Sequence, residues 1–463
     1  MSDSNWPGNR SDGAPGHAGK AGTADGRSVV DPVTVIRSKP YVAGLVLAAL
    51  AGVPISTVAY GFLALVAAIQ GYVFSELPTQ IFGAAAPAWW PVPWLLLSGL
   101  LTALAIRHLP GNGGHSPAFG FHAGGGAPVG RDLPGIALAA MAALSLGAVL
   151  GPEAPLIAIG AGLGALAVRL AKKDAAPMAV TILASAGSFA AVSTLLGSPV
   201  LGAFLIMEAA GIGGATLSLV ALPGLLASGI GALVFVGLDG WTGLGTFSLA
   251  LPSVPPGVPP TVATMAWALV IGLAGALLAW MIRWLALWLR PIVHGNRVVV
   301  TSALGLLIGG VAMSYQLLTG RSSAEVLFSG QDALPGLVEH ADGASVGVML
   351  VLIVSKGLAY GISLSAFRGG PVFPSMFIGA ALGIATSALP GMDLAPAIGM
   401  GIGAMCSAML RLPMTSTLLA VLLMGSDGIL VTPQVVVAVA VAFVISNILP
   451  TPGPRLTEAT VAT

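Results

Sequence analysis

From Tyr41 to Gln70 the chain carries no charged side chain, and the same holds for Trp89–Ile106, Pro177–Leu196, Val262–Ile282, Val298–Leu318 and Val431–Leu449. Ser345–Ile362 carries one, Lys356. About 20 helical residues span the hydrocarbon core of a bilayer, and in lipid every backbone polar group must be satisfied within the segment. Runs of this length and polarity therefore predict membrane helices. Composition agrees: 56% of the 463 residues are apolar and only 8% charged, against about 25% charged in soluble domains. Mean hydropathy is +0.95. The fold class expected is an all-α, polytopic membrane protein.

A net charge of +1 gives no reason to expect nucleic acid or a strongly acidic partner. The single cysteine, Cys406, excludes a disulfide framework or a cysteine-based metal site. No metal or cofactor is expected. Residues 1–36 lack the apolar core of a signal peptide and read as a disordered tail. Arg37 and Lys39, with that tail, favour a cytoplasmic N-terminus by the positive-inside rule. Further cations, Arg169, Lys172, Lys173, Arg283, Arg290 and Arg297, read as flanks of spans.

Five prolines between Asp239 and Thr261 cannot sit inside one helix, which divides the chain. The expected organisation is a tail (1–36), an N-terminal transmembrane half (37–240), a Pro-rich linker (241–260), a C-terminal transmembrane half (261–450) and a short tail (451–463). The halves resemble each other. SLGAVLGPEAPLIAIGAGLG (Ser145–Gly164) pairs with SLSAFRGGPVFPSMFIGAALG (Ser363–Gly383), so that Pro155, Gly160 and Gly164 match Pro374, Gly379 and Gly383 at identical spacing. GSFAAVSTLLGSP (Gly187–Pro199) pairs with GIGAMCSAMLRLP (Gly401–Pro413). Internal repeats with Gly/Pro interruptions at corresponding positions point to a transport site at the repeat interface.

Three interruptions stand out: GNGGHSP (Gly111–Pro117), GPEAP (Gly151–Pro155) and GGPVFP (Gly369–Pro374). In each, glycine precedes a proline suited to the first turn of a new helix. Such a helix start presents unpaired N–H groups and the positive end of the dipole, so several converging would hold an anion without a fixed cation. The candidate anion-binding residues are Gly111, Asn112, Gly113, Gly151, Ala154, Gly370, Val372 and Phe373. Arg368 is expected at a membrane face. Glu153, isolated in an uncharged stretch, is the candidate gate: its carboxylate can occupy an anion position and leave it on protonation or displacement. Glu208, also isolated, is either a proton-path carboxylate or the interfacial end of a short helix. His115 and His122 have no ligand-like spacing and read as a polar rim.

Together these motifs resemble the CLC family of chloride channels and proton-coupled chloride antiporters. GNGGH stands where the family has GSGIP, GPEAP where it has G(K/R)EGP, and GGPVFP where it has GGxFxP. Pro199 with LGAFLIME, and RLPMT around Pro413, resemble two further family stretches. The resemblance covers roughly residues 40–450. It implies a homodimer in the lipid of the cell membrane, one pore per subunit, halves of inverted topology, and a glutamate gate at Glu153. It also implies an anion held by backbone amides of the third motif, a serine hydroxyl of the first and a tyrosine hydroxyl near the C-terminus.

This sequence departs from that pattern. Asn112 takes the serine position, Pro152 replaces the basic residue before the gate, and Pro371 removes a backbone donor, leaving Val372 and Phe373. No tyrosine follows Tyr360. Ala209 aligns with the antiporters' internal proton glutamate, one residue after Glu208. The chain also ends soon after its last apolar run, without the cytoplasmic regulatory domains of many members. The expectation is transport of chloride or a similar small inorganic anion, as a channel or an H+-coupled exchanger, with the incomplete proton set favouring a passive or loosely coupled pathway. The alternatives are an inverted-repeat transporter of an organic anion and an intramembrane enzyme. The second lacks any G-x-S-x-G, H-E-x-x-H or paired intramembrane aspartates.

Overall fold

The computed structural model describes residues 32–121, 126–211, 214–249, 251, 256–341 and 343–450. Among them are fourteen helices of eleven residues or more. The first seven are α1 (Lys39–Gly71), α2 (Pro91–His108), α3 (Leu133–Ser145), α4 (Glu153–Ala171), α5 (Pro177–Ala191), α6 (Pro199–Ala209) and α7 (Gly214–Thr242). Seven more follow: α8 (Val262–Gly295), α9 (Arg297–Thr319), α10 (Val346–Ala366), α11 (Val372–Thr386), α12 (Leu394–Leu410), α13 (Pro413–Leu423) and α14 (Gly428–Ile448). No helix among the described residues falls between Thr242 and Val262. The tail expected over 1–36 lies outside the described residues except at its end, where Pro32–Ile36 form a short helix. The tail 451–463 lies outside them entirely.

Seven helical segments are long and apolar enough to cross a membrane. They include Glu153–Ala171 and Leu219–Thr242, which charge-free runs alone do not reveal. Pro177–Leu196 shortens to the fifteen residues of α5 because the chain turns at Val192–Gly197. A helix of that length falls short of the bilayer thickness, so it must end inside the protein. Large apolar side chains such as Leu170, Leu233, Val262 and Leu318 are exposed, as a lipid-facing surface requires.

The two sets of seven pack alike. In each half the first helix contacts the fifth and seventh, the fourth contacts the fifth, and the fifth contacts the seventh: α1, α4, α5 and α7 in one, α8, α11, α12 and α14 in the other. Glycine makes the tightest crossings possible. A Cβ on Gly160 would collide with the Gly187 carbonyl, and one on Gly187 with the Gly160 carbonyl. Gly379 and Gly401 stand in the same reciprocal relation. These are the glycines matched in the repeat, and small residues let membrane helices approach to backbone contact.

Helices α2 and α9, each the second of the seven in its half, run past each other in opposite directions: Val92 lies by Gly309, Leu95 by Gly305 and Gly99 by Thr301. Equivalent helices running antiparallel are what inverted halves require. The polytopic all-α fold with an inverted repeat is therefore the fold observed. One charge inside a span is absorbed structurally. Lys356 of α10 is fully buried, and its Nζ donates to the carbonyls of Glu325, Val326 and Leu327 at 2.9, 3.2 and 3.0 Å while lying over the Phe377 ring of α11.

Gly401→Val, which forces the α11–α12 crossing apart, is expected to destabilise the protein by about 1–3 kcal/mol or more. Gly310→Ala in α9, whose Cβ would meet nothing within 4 Å, is expected to be neutral. Thermal unfolding of the two variants in detergent checks this; equal unfolding temperatures would contradict the crossing role.

Candidate anion site

The two Gly/Pro interruptions in the centre of each half are joined directly. Gly151 and Gly370 form an antiparallel bridge, with Gly151 N–H donating to Gly370 O at 2.8 Å and Gly370 N–H to Gly151 O at 2.6 Å. Each is followed by one proline-class N-cap, Pro152 or Pro371, and then by a helix start, α4 at Glu153 and α11 at Val372. Both glycines are needed for closeness: a Cβ on either would strike the Glu153 carboxyl group. The bridge thus fixes two helix N-termini against each other in the protein interior.

Glu153 lies between them, fully buried. Its Oε1 accepts a hydrogen bond from the Val372 N–H at 2.5 Å, at the first residue of α11. The carboxylate therefore occupies the place where a helix N-terminus receives an anion. Its Oε2 is buried without a donor among the described residues. A carboxylate retained through one oxygen is held less firmly than one satisfied at both, because hydrogen bonds to charged groups contribute about 1.5–3 kcal/mol each. Phe373 packs beside Gly151, and its N–H is the next donor of the same open turn.

Pro371 offers no N–H, but its carbonyl is well occupied. It accepts from the Tyr360 hydroxyl at 2.8 Å and from Ser375 Oγ at 2.6 Å. Tyr360 is fully buried in α10, so a tyrosine does stand near Glu153, with its hydroxyl spent on the helix end. On the preceding loop, Val149 N–H donates to Ser363 Oγ at 3.0 Å, so a serine of one repeat secures the loop before Glu153 in the other.

The first interruption is placed differently from expectation. Gly111 and Asn112 take positive φ of 82° and 50°, and the chain makes only short 3-10 turns at Pro110–Gly113 and Pro117–Phe119. Pro117 opens no full helix among the described residues, so two helix starts, not three, meet at Glu153. The reason is local: glycines in left-handed turns cannot continue into a helix. Gly111, Asn112 and Gly113 instead line an open cleft of about 1140 Å³, which Ala154, Gly369 and Pro371 also line. Asn112 is exposed there. His115 lines it too, while His122 lies outside the described residues.

Arg368 is not at a membrane face. It is 6% exposed and reaches into the cleft, donating through Nη1 to Phe367 O at 3.2 Å and through Nη2 to Asn112 O at 3.3 Å. Arg290 and Arg297, which read as flanks of a span, line the same cleft. Sequence reading missed this cluster because Arg368 lies some seventy residues from Arg290 and Arg297, and each cation flanks an apolar run, which is also the signature of an interfacial anchor.

Glu208 is engaged at both carboxylate oxygens. Its Oε1 accepts from Met414 N–H at 3.0 Å, and its Oε2 from Thr415 N–H at 2.7 Å and Thr415 Oγ1 at 2.5 Å. The end of α6 thereby caps the start of α13, its equivalent in the second half.

A family model described as voltage gated chloride channel matches residues 99–447. The chain belongs to the CLC family. Among curated proteins, YfeO of Salmonella typhimurium, whose name marks it as an ion-transport protein, is 28% identical over 342 residues, covering 72% of this chain and 77% of that protein. YfeO of Escherichia coli is 26% identical over 340 residues, covering 72% and 76%. Solved structures of similar fold include a slow cyanobacterial Cl−/H+ antiporter (TM-score 0.70, 19% identity, 88% of this chain and 95% of that one) and a eukaryotic CLC transporter (0.66, 18%, 90% and 73%). A CLC-type fluoride/proton antiporter also matches (0.57, 17%, 88% and 95%). These likenesses carry the CLC fold to this chain, with the Gly151–Gly370 bridge at its centre.

Glu208→Ala, which leaves the α13 N-terminus uncapped, is expected to lower stability by about 1–2 kcal/mol, with Glu208→Gln recovering part of the loss. Thermal unfolding of the purified variants reads this, and unchanged unfolding of Glu208→Ala would contradict the capping role.

Proposed function

We propose that this protein moves chloride or a similarly small inorganic anion across a membrane, along a path that the Glu153 carboxylate blocks and opens. One observation carries the reading: a buried carboxylate rests on the Val372 N–H at the start of α11, in the position an anion would take. The substrate must then be small, since the space it inherits is that of a carboxylate group between two helix ends. Donors at that position are backbone amides. They bind an anion without the firm hold of an adjacent cation, and conduction needs binding weak enough to release. The N–H groups of Val372 and Phe373 are the proposed ligands, with Gly151, Ala154 and Gly370 shaping the pocket. Gly111, Asn112 and Gly113 edge the cleft that leads to it.

Opening follows from the one-sided retention of the carboxylate. Protonation of Glu153 removes the charge that Val372 N–H and the helix dipole attract, and an incoming anion competes for the same donor. Either releases the side chain. Because Glu208 spends both oxygens on the α13 cap, Glu153 is the proposed proton-responsive group, and any proton movement passes through it. The proposal includes a homodimer with one path per subunit in the cell membrane, supported by membership of the family, and a cytoplasmic N-terminus, supported by Arg37 and Lys39.

The test is chloride efflux and proton movement followed together in reconstituted liposomes. Wild-type flux is expected to rise as pH falls. Glu153→Gln, which mimics the protonated side chain, is expected to give fast flux independent of pH and to abolish any proton movement. Wild-type pH dependence retained in Glu153→Gln would refute the gate, and liposomes that pass no chloride would refute the substrate.

A further inference from the structure

The cleft in front of the gate holds more positive charge than delivering a halide requires. Arg107, Arg290, Arg297 and Arg368 all line it. Among the described residues none of the four is in an ion pair, and the one lining carboxylate, Asp132, is directed to Arg131 outside the cleft at 3.7 Å. Arg290, Arg297 and Arg368 lie close enough to repel one another and His294. Like charges gathered in a cleft with low-dielectric walls raise one another's energy unless a counter-charge enters.

The guanidinium groups are also held in place. Arg290 is stacked over the Phe119 ring at 3.8 Å, which fixes its plane on the cleft wall. Arg368 is more than nine-tenths buried and anchored to two carbonyls, yet its Nε has no acceptor. A buried donor left unpaired costs free energy that a ligand acceptor recovers. Arginine rather than lysine at all four positions matters, because the planar fork pairs with two oxygens of one oxyanion at once. Halide ions have no such geometry, and a cleft of about 1140 Å³ is far larger than a halide needs.

We propose that this cleft is a binding site for a polyatomic oxyanion of the phosphate class, held between Arg290, Arg297 and Arg368, which covers the approach to Glu153 when bound. Ala154, Gly369 and Pro371, the chain neighbours of Glu153 and Gly370, also line the cleft, so the bound anion stands on the approach to the proposed gate and slows the flux of the smaller ion. The binding half of the proposal is independent of what passes the gate; the blocking half rests on the chloride pathway proposed above. The phosphoryl group can belong to a soluble phosphate or to an anionic lipid headgroup.

Titration calorimetry of the purified protein with inorganic phosphate at constant ionic strength tests binding without any transport. Wild type is expected to bind, and the double variant Arg290→Gln/Arg297→Gln to bind about tenfold or more weakly, since each loses a charge-assisted hydrogen bond. Arg169→Gln, which removes the same charge from an exposed helix end, is expected to match wild type. No phosphate binding to wild type, or equal binding to the double variant, overturns the site. In phosphatidylcholine liposomes, phosphate is expected to slow chloride efflux of wild type more than that of the double variant, measured as the ratio with and without phosphate. Equal ratios overturn the block. If flux is already slow in vesicles containing phosphatidylglycerol and phosphate adds nothing there, while the double variant escapes both, the headgroup is the occupant.

Discussion

One hydrogen bond organises the centre of this protein: the Val372 N–H donating to Oε1 of Glu153. It joins a carboxylate at the start of α4 to the open end of α11, so that the two halves meet through a charge and a dipole in the interior of a membrane protein. Most of the architecture exists to make this contact possible. The Gly151–Gly370 bridge brings the two helix starts together, and no residue with a Cβ fits at either position without displacing the carboxyl group. The reciprocal crossings at Gly160–Gly187 and Gly379–Gly401 hold α4 and α11 against α5 and α12. Tyr360 and Ser375 secure the Pro371 carbonyl one residue before the donor.

Charge is distributed to suit that contact. Glu153 lies between two helix starts, and the guanidinium groups of Arg290, Arg297 and Arg368 are set along the cleft rather than against its carboxylate. A cation touching the site would bind an ion too firmly to let it leave. Lys356, the charge deepest in a span, is neutralised in its effect by three carbonyls and a ring face. Glu208 is spent on the α13 helix start. Lys356 and Glu208 thus have structural partners at every charged atom, whereas Glu153 keeps one carboxylate oxygen unsatisfied among the described residues.

Much of this was legible in the sequence because it depends on local chemistry. Apolar runs with one charge at most revealed five of the seven spans, and matched glycines and prolines revealed the repeat whose crossings the structure contains. The isolation of Glu153 between Gly151 and Pro155 singled it out, and the fold then brought it to Val372. What was not legible depends on long-range proximity. Arg290, Arg297 and Arg368 lie on different segments, and nothing in their spacing tells a cleft wall from a membrane flank. Tyr360 lies inside an apolar run, and its approach to Pro371 and Ser375 depends on how α10 packs against α11. The GNGGHSP motif has the composition of a helix start, yet its left-handed glycine turns stop short of one. Glu208's partners on α13 lie some two hundred residues away, beyond the reach of local pattern.

The central claim is that the Glu153 carboxylate stands where an anion binds, and the position of a bound ion tests it most directly. Anomalous diffraction from bromide-soaked crystals of Glu153→Ala would locate that ion. The account predicts a bromide peak against the N–H groups of Val372 and Phe373, in the space the carboxylate fills in the wild-type protein. Ordered bromide elsewhere in the protein, with none at the start of α11, would contradict it.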